Sequence, residues 1–240
     1  MNAIILAAGR GERMRPLTDH TPKPLLPVRG KPLIEWHIEA MARAGVKRIV
    51  INTAWLEDQI VQTLGDGSRW GVRISYSMEG RDHGGALETG GGLKNAISPL
   101  LEAPDGPEAF WYVAGDVYLP GFSFSAPVMK DFLASGRRAH LWLVSNPPQH
   151  PRGDFGIDQG LATPGVDGER FTWSCVALMH RSFVTELMSD LVSGTKSPLK
   201  PYLDRAIAER RMGAEHYPGP WADVGTPQRL AALQDAQAVF

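Results

Sequence analysis

The chain has 240 residues, 43% of them hydrophobic and 21% charged, which suits one large or two small globular domains and excludes disorder as its dominant state. Its 25 basic and 26 acidic residues leave a net charge of −1, without the basic excess of a protein whose main work is holding nucleic acid. The single cysteine, Cys175, cannot form an internal disulfide, and no apolar run approaches the ~18 residues of a membrane span, so a cytoplasmic protein is expected. Residues 3–7 form a continuous apolar run, the pattern of a buried parallel strand. After a loop from Gly9 to Gly30, Pro32 opens a predicted helix in which Leu33, Ile34, His37, Ile38 and Met41 recur at helical spacing before Gly45. Strand 48–52, helix 55–64, strand 72–76, helix 88–97 and strand 110–114 follow, the alternation of βαβ units. Beyond residue 120 the pattern is less regular. Strands are predicted at 139–144 and 171–178, and helices at 183–191, 201–211 and 227–239. The sequence thus predicts one α/β domain over residues 1–240, with no internal repeat.

The segment after the first strand is the richest in chemistry. In open α/β sheets ligands bind beyond the carboxyl ends of the strands, where Gly9 and Gly11 stand. Those glycines let backbone N–H groups turn towards an anion. Six basic residues (Arg10, Arg13, Arg15, Lys23, Arg29, Lys31) face only Glu12 and Asp19 in this stretch, a local reversal of sign that suits a nucleoside triphosphate. The same residues can also be read as a solvated basic loop with glycines for its turns. The dinucleotide fingerprint is broken by Met14, and the Gly-Lys-Ser/Thr of a P-loop is absent. Lys23 sits between Pro22 and Pro24, which stiffen the backbone around one ammonium. The seven histidines show no metal-binding spacing, and His37 reads as a hydrogen-bonded core residue.

The run Leu6-Ala-Ala-Gly9-Arg-Gly11-Glu-Arg13-Met-Arg-Pro-Leu-Thr18 with Pro22-Lys-Pro24 resembles the signature of sugar-1-phosphate nucleotidyltransferases. The likeness continues in Leu87-Glu-Thr-Gly-Gly-Gly92, Gly115-Asp-Val117, Arg152-Gly-Asp-Phe155, and from His216-Tyr217 to Trp221-Ala-Asp-Val-Gly-Thr226. Within the family, these later motifs are most similar to the branch that uridylylates N-acetylmuramate 1-phosphate, and to mannose-1-phosphate guanylyltransferase-like relatives. The resemblance implies a Rossmann-like, doubly wound mixed sheet of the nucleotide-diphospho-sugar transferase (GT-A-like) type. Residues 1–120 would then hold the nucleotide and 121–240 the sugar.

It also implies roles. Arg13 would stabilise the triphosphate, and Lys23 the phosphates at the reacting centre. Backbone groups at Leu6, Ala8, Gly9, Gly11 and Gly90 would hold the nucleotide, while Glu88, Thr89, Asp154 and Ser174 would face the sugar. Asp116 and Asp223 would share one Mg²⁺, although as residues alone they also read as a turn residue and a helix cap, with Thr226 a second candidate cap. The expected partners are a nucleoside triphosphate, UTP on this likeness, and a sugar 1-phosphate, with no nucleic acid, membrane or obligatory protein partner. A guanylyltransferase for mannose or heptose 1-phosphate, or a non-catalytic nucleotide-sugar sensor, is the alternative. Three departures from the family pattern stand out. Ala114 replaces the usual Asn before Gly-Asp, Cys175 falls where relatives carry glycine, and 81–86 looks like a glycine-rich insertion.

Overall fold

A computed structural model describes residues 1–165 and 168–234. In chain order its elements are β1 (Asn2–Leu6), a hairpin of β2 (Pro27–Val28) and β3 (Lys31–Pro32), α1 (Leu33–Arg43), β4 (Arg48–Thr53), α2 (Glu57–Leu64), β5 (Arg73–Met78), α3 (Glu79–His83), α4 (Glu88–Glu102), β6 (Ala109–Ala114), β7 (Val117–Tyr118), α5 (Ala126–Ala134), β8 (Ala139–Val144), β9 (Gly156–Asp158), β10 (Leu161–Thr163), β11 (Thr172–His180), α6 (Lys200–Ala208), β12 (Met212–His216), β13 (Ala222–Asp223) and α7 (Pro227–Leu233). Three short 3₁₀ turns occupy the loop after β1.

Nine strands form one mixed sheet in the order β5-β4-β1-β6-β11-β8-β12-β10-β9. The first four run parallel, and β11 is antiparallel to both β6 and β8. Reversing β11 brings its amino-terminal end beside the carboxyl end of β6. Residues from the second half of the chain therefore reach the rim where the β1 loop lies.

Helices cover both faces, which is why β1 and β6 read as unbroken apolar runs. On one face Ile4, Phe110, Tyr112, Leu141 and Ala177 pack with Leu93 and Ile97 of α4 and Leu203 of α6. On the other, Ile5, Trp111, Val113 and Val176 pack with Ile34, Ile38 and Met41 of α1. A third, smaller cluster of Met14, Leu26, Val28, Leu33, Tyr118, Val224, Leu230 and Leu233 clamps the β1 loop against β7 and α7. No helix among the described residues is long and apolar enough to cross a membrane.

The doubly wound mixed sheet is as expected, with several differences in detail. Helix α2 starts two residues later than predicted because Leu56 adopts a left-handed φ of 49°. The predicted helix 183–191 is a single π-helical turn over Phe183–Leu187. Helix α5 was not foreseen. It buries only Met129 and Phe132, too few apolar positions to mark a periodic face, although Ser125 caps it through the Val128 N–H. Residues 81–83 of the expected glycine-rich loop belong to α3, leaving Gly84 and Gly85 to make the turn. The predicted last helix is α7 as far as Leu233, and its remainder lies outside the described residues.

Candidate active site

The β1 loop is shaped by contacts from neighbouring strands. The Ala7 N–H donates to the side-chain carbonyl of Asn52 at 2.8 Å, and the Gly115 N–H donates to the Leu6 carbonyl at 2.8 Å. The carboxyl ends of β1, β4 and β6 thus meet at one rim. Gly11 turns the chain with φ 69°, and a Cβ there would fall 2.9 Å from Thr18 Cγ2. The Thr18 hydroxyl donates to the Gly11 carbonyl at 2.9 Å, closing the turn.

This rim opens onto a cleft of about 480 Å³. Of the six basic residues in the loop region, Arg13 and Lys23 line it and the other four are engaged elsewhere. The Arg10 guanidinium lies 3.3 Å from the centre of the Trp55 ring, Arg15 pairs with Asp19 at 2.7 Å, Arg29 donates to the Leu233 carbonyl at 3.1 Å, and Lys31 pairs with Glu39. Arg13 is exposed and has no hydrogen bond or ion pair among the described residues. Lys23 is 7% exposed, and its Nζ donates to Asp116 Oδ2 at 2.7 Å. A buried ammonium held by a single carboxylate keeps further N–H donors for an arriving anion.

Asp116 and Asp223 come together through a two-strand ladder. Asp223 of β13 is in register with Val117 of β7, and the Val224 N–H donates to the Asp116 carbonyl at 3.3 Å. Arg229 donates to one Asp223 carboxylate oxygen. Gly225 lines the cleft, and a Cβ on it would lie 3.0 Å from both Asp223 oxygens, so its missing side chain keeps that carboxylate accessible. Thr226 is the cap of α7, accepting from the Arg229 N–H at 3.3 Å, so the capping role falls to it and not to Asp223. Among the described residues no cluster of three His, Cys, Asp or Glu side chains stands ready to hold a metal. Asp116 lines the cleft, while Asp223 lies just behind Gly225 at its edge; two carboxylates so placed nonetheless suit a hard cation that takes its other ligands from a bound anion and water.

The remaining expected site residues separate into two groups. Leu6, Ala8, Gly9, Gly11, Glu88 and Thr89 line the cleft. The Thr89 hydroxyl also accepts from the Leu199 N–H at 3.1 Å. Gly90 lies beneath the next segment: its N–H donates to the Ser197 carbonyl at 2.8 Å, and a Cβ would meet the Pro198 carbonyl oxygen at 2.7 Å. Those contacts are packing, and Gly90 is not among the residues that line the cleft. Ser174 is fully buried in a bulge of β11, donating to the Trp142 carbonyl at 2.7 Å and accepting from the Val176 N–H at 3.2 Å. Its hydroxyl is therefore committed to the fold and not turned to a sugar. Asp154 stands back from the cleft and orients Trp173, accepting from that residue's N–H at 2.8 Å and from His150 Nε2 at 3.0 Å.

Four further residues escaped the sequence reading: Asn52, Tyr112 and Trp173 line the cleft, and Glu79 backs Asn52 from the interior. Asn52 and the fully buried Glu79 form a clasp, with Asn52 Nδ2 donating to Glu79 Oε1 at 2.7 Å and the Leu87 N–H donating to Oε2 at 2.8 Å. Burial pushes the Glu79 carboxyl above its usual range, against the pull of those two donors. An amide ending the apolar run 49–51 was the available signal for Asn52. Tyr112 and Trp173 stack at 5.5 Å with 18° between their planes, 61 residues apart in a pairing no local pattern announces. Cys175 also lines the cleft, with φ 63°, the conformation that favours glycine. Burial first, and then the carboxylates of Asp116, Asp154 and Asp223, push its thiol well above the usual range.

A mixed sheet whose parallel strands end at this basic, glycine-turned loop, with a lysine–aspartate pair in the cleft, is the arrangement of a nucleotidyl-transfer protein. Residues 2–157 match the nucleotidyl transferase family, and the chain belongs to it. It is 45% identical over 242 aligned residues, covering 100% of this chain and 98% of the relative, to N-acetylmuramate alpha-1-phosphate uridylyltransferase of Neisseria meningitidis. A mannose-1-phosphate guanylyltransferase of Mycobacterium tuberculosis is 36% identical over 100 residues, 42% of this chain and 27% of that one. Among solved structures, one described as a glucose-1-phosphate thymidylyltransferase of Bacillus anthracis in complex with sucrose superposes with a TM-score of 0.79. It covers 100% of this chain and 98% of that one at 20% identity, a likeness of fold.

Proposed function

We propose that the chain transfers a uridylyl group from UTP to N-acetylmuramate 1-phosphate, with Mg²⁺ as the cation, releasing pyrophosphate. The observation that carries the reaction type is the convergence of Arg13, without an ion pair among the described residues, the buried Lys23 and Asp116 on one cleft beside the backbone of the β1 loop. The choice of UTP and N-acetylmuramate rests on the full-length likeness to the Neisseria relative. In the reaction a phosphate oxygen of the sugar attacks the α-phosphorus of the triphosphate. The P–O bond to the β-phosphate breaks, and its electrons leave with pyrophosphate.

No covalent bond to the protein is needed, so the work is alignment and neutralisation of two anions. Lys23 lies where it can hold an α-phosphate oxygen, its position fixed by Asp116. Arg13, at the outer side of the loop, takes the β- and γ-phosphates and the departing pyrophosphate. The backbone of Leu6, Ala8, Gly9 and Gly11 lines the nucleotide side, and Glu88 and Thr89 the opposite wall. Asp116 and Asp223 would hold the Mg²⁺, which when bound supplies positive charge to the phosphates between them. Residues 1–120 would thus hold mostly nucleotide and 121–240 mostly sugar, within one domain.

The test is pyrophosphate release with Mg²⁺, crossing UTP, GTP, CTP and dTTP with N-acetylmuramate, glucose, mannose and heptose 1-phosphates. Turnover is expected with UTP and N-acetylmuramate 1-phosphate. Preference for GTP with mannose 1-phosphate would move the chain to the guanylyltransferase branch, and silence across the panel would sink the enzymatic reading.

A further inference from the structure

Strand β6 turns Phe110, Tyr112 and Ala114 to the same face, and the last two line the cleft. Ala114 offers only a methyl group. Tyr112 is 2% exposed, yet its hydroxyl has no hydrogen bond among the described residues and is not among the atoms fully sealed from solvent. A hydroxyl that reaches the cleft without a protein partner is left to water, and that water can be exchanged for a polar group of a ligand.

The ring cannot swing away to find a partner elsewhere. It stacks on Trp173, whose indole N–H donates to the Val176 carbonyl at 2.9 Å and whose backbone N–H is held by Asp154 at 2.8 Å. Burial foremost, with Cys175 and Asp116 nearby, keeps the phenol protonated, so it can both donate and accept. A neutral donor-acceptor on an aromatic wall suits a polyhydroxylated ring better than a phosphate, whose charge Lys23 and Arg13 already meet.

We propose that Tyr112 is a specificity-determining residue, its phenol hydrogen-bonding one ring substituent of the acceptor sugar while Trp173 holds it in place. This rests on the uridylyltransferase reading above. The experiment compares the full chain with Tyr112→Phe, which keeps the ring and its stacking, using UTP and N-acetylmuramate 1-phosphate. The KM for the sugar phosphate should rise about tenfold, the effect of one hydrogen bond, with kcat and the KM for UTP within about twofold.

Analogues lacking one ring substituent at a time give the second measurement. One analogue should lose the same factor with the unaltered protein and lose nothing further with Tyr112→Phe. An unchanged sugar KM, a rise in the UTP KM instead, or additive losses with every analogue would overturn the assignment while leaving the enzymatic reading intact. Failure of the unaltered chain to turn over any sugar 1-phosphate would remove both.

Discussion

Arg13 and Arg15 stand two residues apart on one basic loop, yet only Arg13 lines the cleft. Arg15 is spent on Asp19 at 2.7 Å and, more loosely, on Glu12 at 3.7 Å. Arg13→Gln should therefore lower kcat/KM by about 10²–10³-fold, the range for losing a group that stabilises transition-state charge, whereas Arg15→Gln should change it less than about twofold. Steady-state pyrophosphate release distinguishes them, and equal losses would mean that the loop acts through its total charge. Cys175 gives a prediction of a different kind. An L-residue at φ 63° is strained by roughly 1 kcal/mol, and beyond its packing against the core the thiol's one hydrogen bond among the described residues is a 3.8 Å contact with the Trp173 carbonyl. Cys175→Gly should raise unfolding stability by about 0.5–1 kcal/mol, read as a higher denaturant midpoint at unchanged slope; a lower midpoint would show that packing of the thiol outweighs the backbone strain.

At the scale of elements, His37 couples α1 to the strand beside Asp116. Its Nε2–H donates to the Val117 carbonyl at 2.8 Å, and burial lowers its pKa from 6.5 to about 4. Because the folded state refuses a proton that the unfolded chain accepts, this contribution is complete above pH 6.5 and is lost as pH falls towards 4. The loss amounts to about 3 kcal/mol by linkage. His37→Gln can keep a donor to Val117 and cannot protonate, so the difference in urea stability between the two proteins should shrink by that amount from pH 7 to pH 4. A constant difference would place the acid sensitivity in other groups. The helix carrying His37 was legible in the sequence because its apolar spacing is regular and long. The buried strands were legible for the opposite reason, having no polar face at all. Helix α5 and strand β12 were not, since a helix with two buried residues and a strand reading Met-Gly-Ala-Glu-His carry almost no periodic signal. Ser174 likewise sits on a predicted strand, and only the bulge between Trp173 and Val176 decides where its hydroxyl points.

At the scale of the molecule, the candidate site is assembled by one topological step: β11 enters antiparallel between β6 and β8, and the chain then returns through β13 to β7. Asp116 and Asp223, 107 residues apart, become neighbours through that return alone. Spacing could not reveal the pair, which is why resemblance was needed to suggest it, and why either aspartate alone reads equally well as a turn or a cap. The return also separates the chemistry of this corner from its stability. Thr226→Ala removes the cap of α7 and should cost about 1 kcal/mol of stability, with the Mg²⁺ concentration for half-maximal turnover unchanged. Asp223→Asn keeps the cap and an oxygen near Arg229 but removes the charge of a proposed Mg²⁺ ligand, so it should raise that Mg²⁺ requirement at least about tenfold and cut turnover at saturating UTP. Magnesium titrations of both variants, set beside their denaturation curves, separate the two roles. A raised requirement in Thr226→Ala, or none in Asp223→Asn, would return Asp223 to a structural part in the β7–β13 ladder.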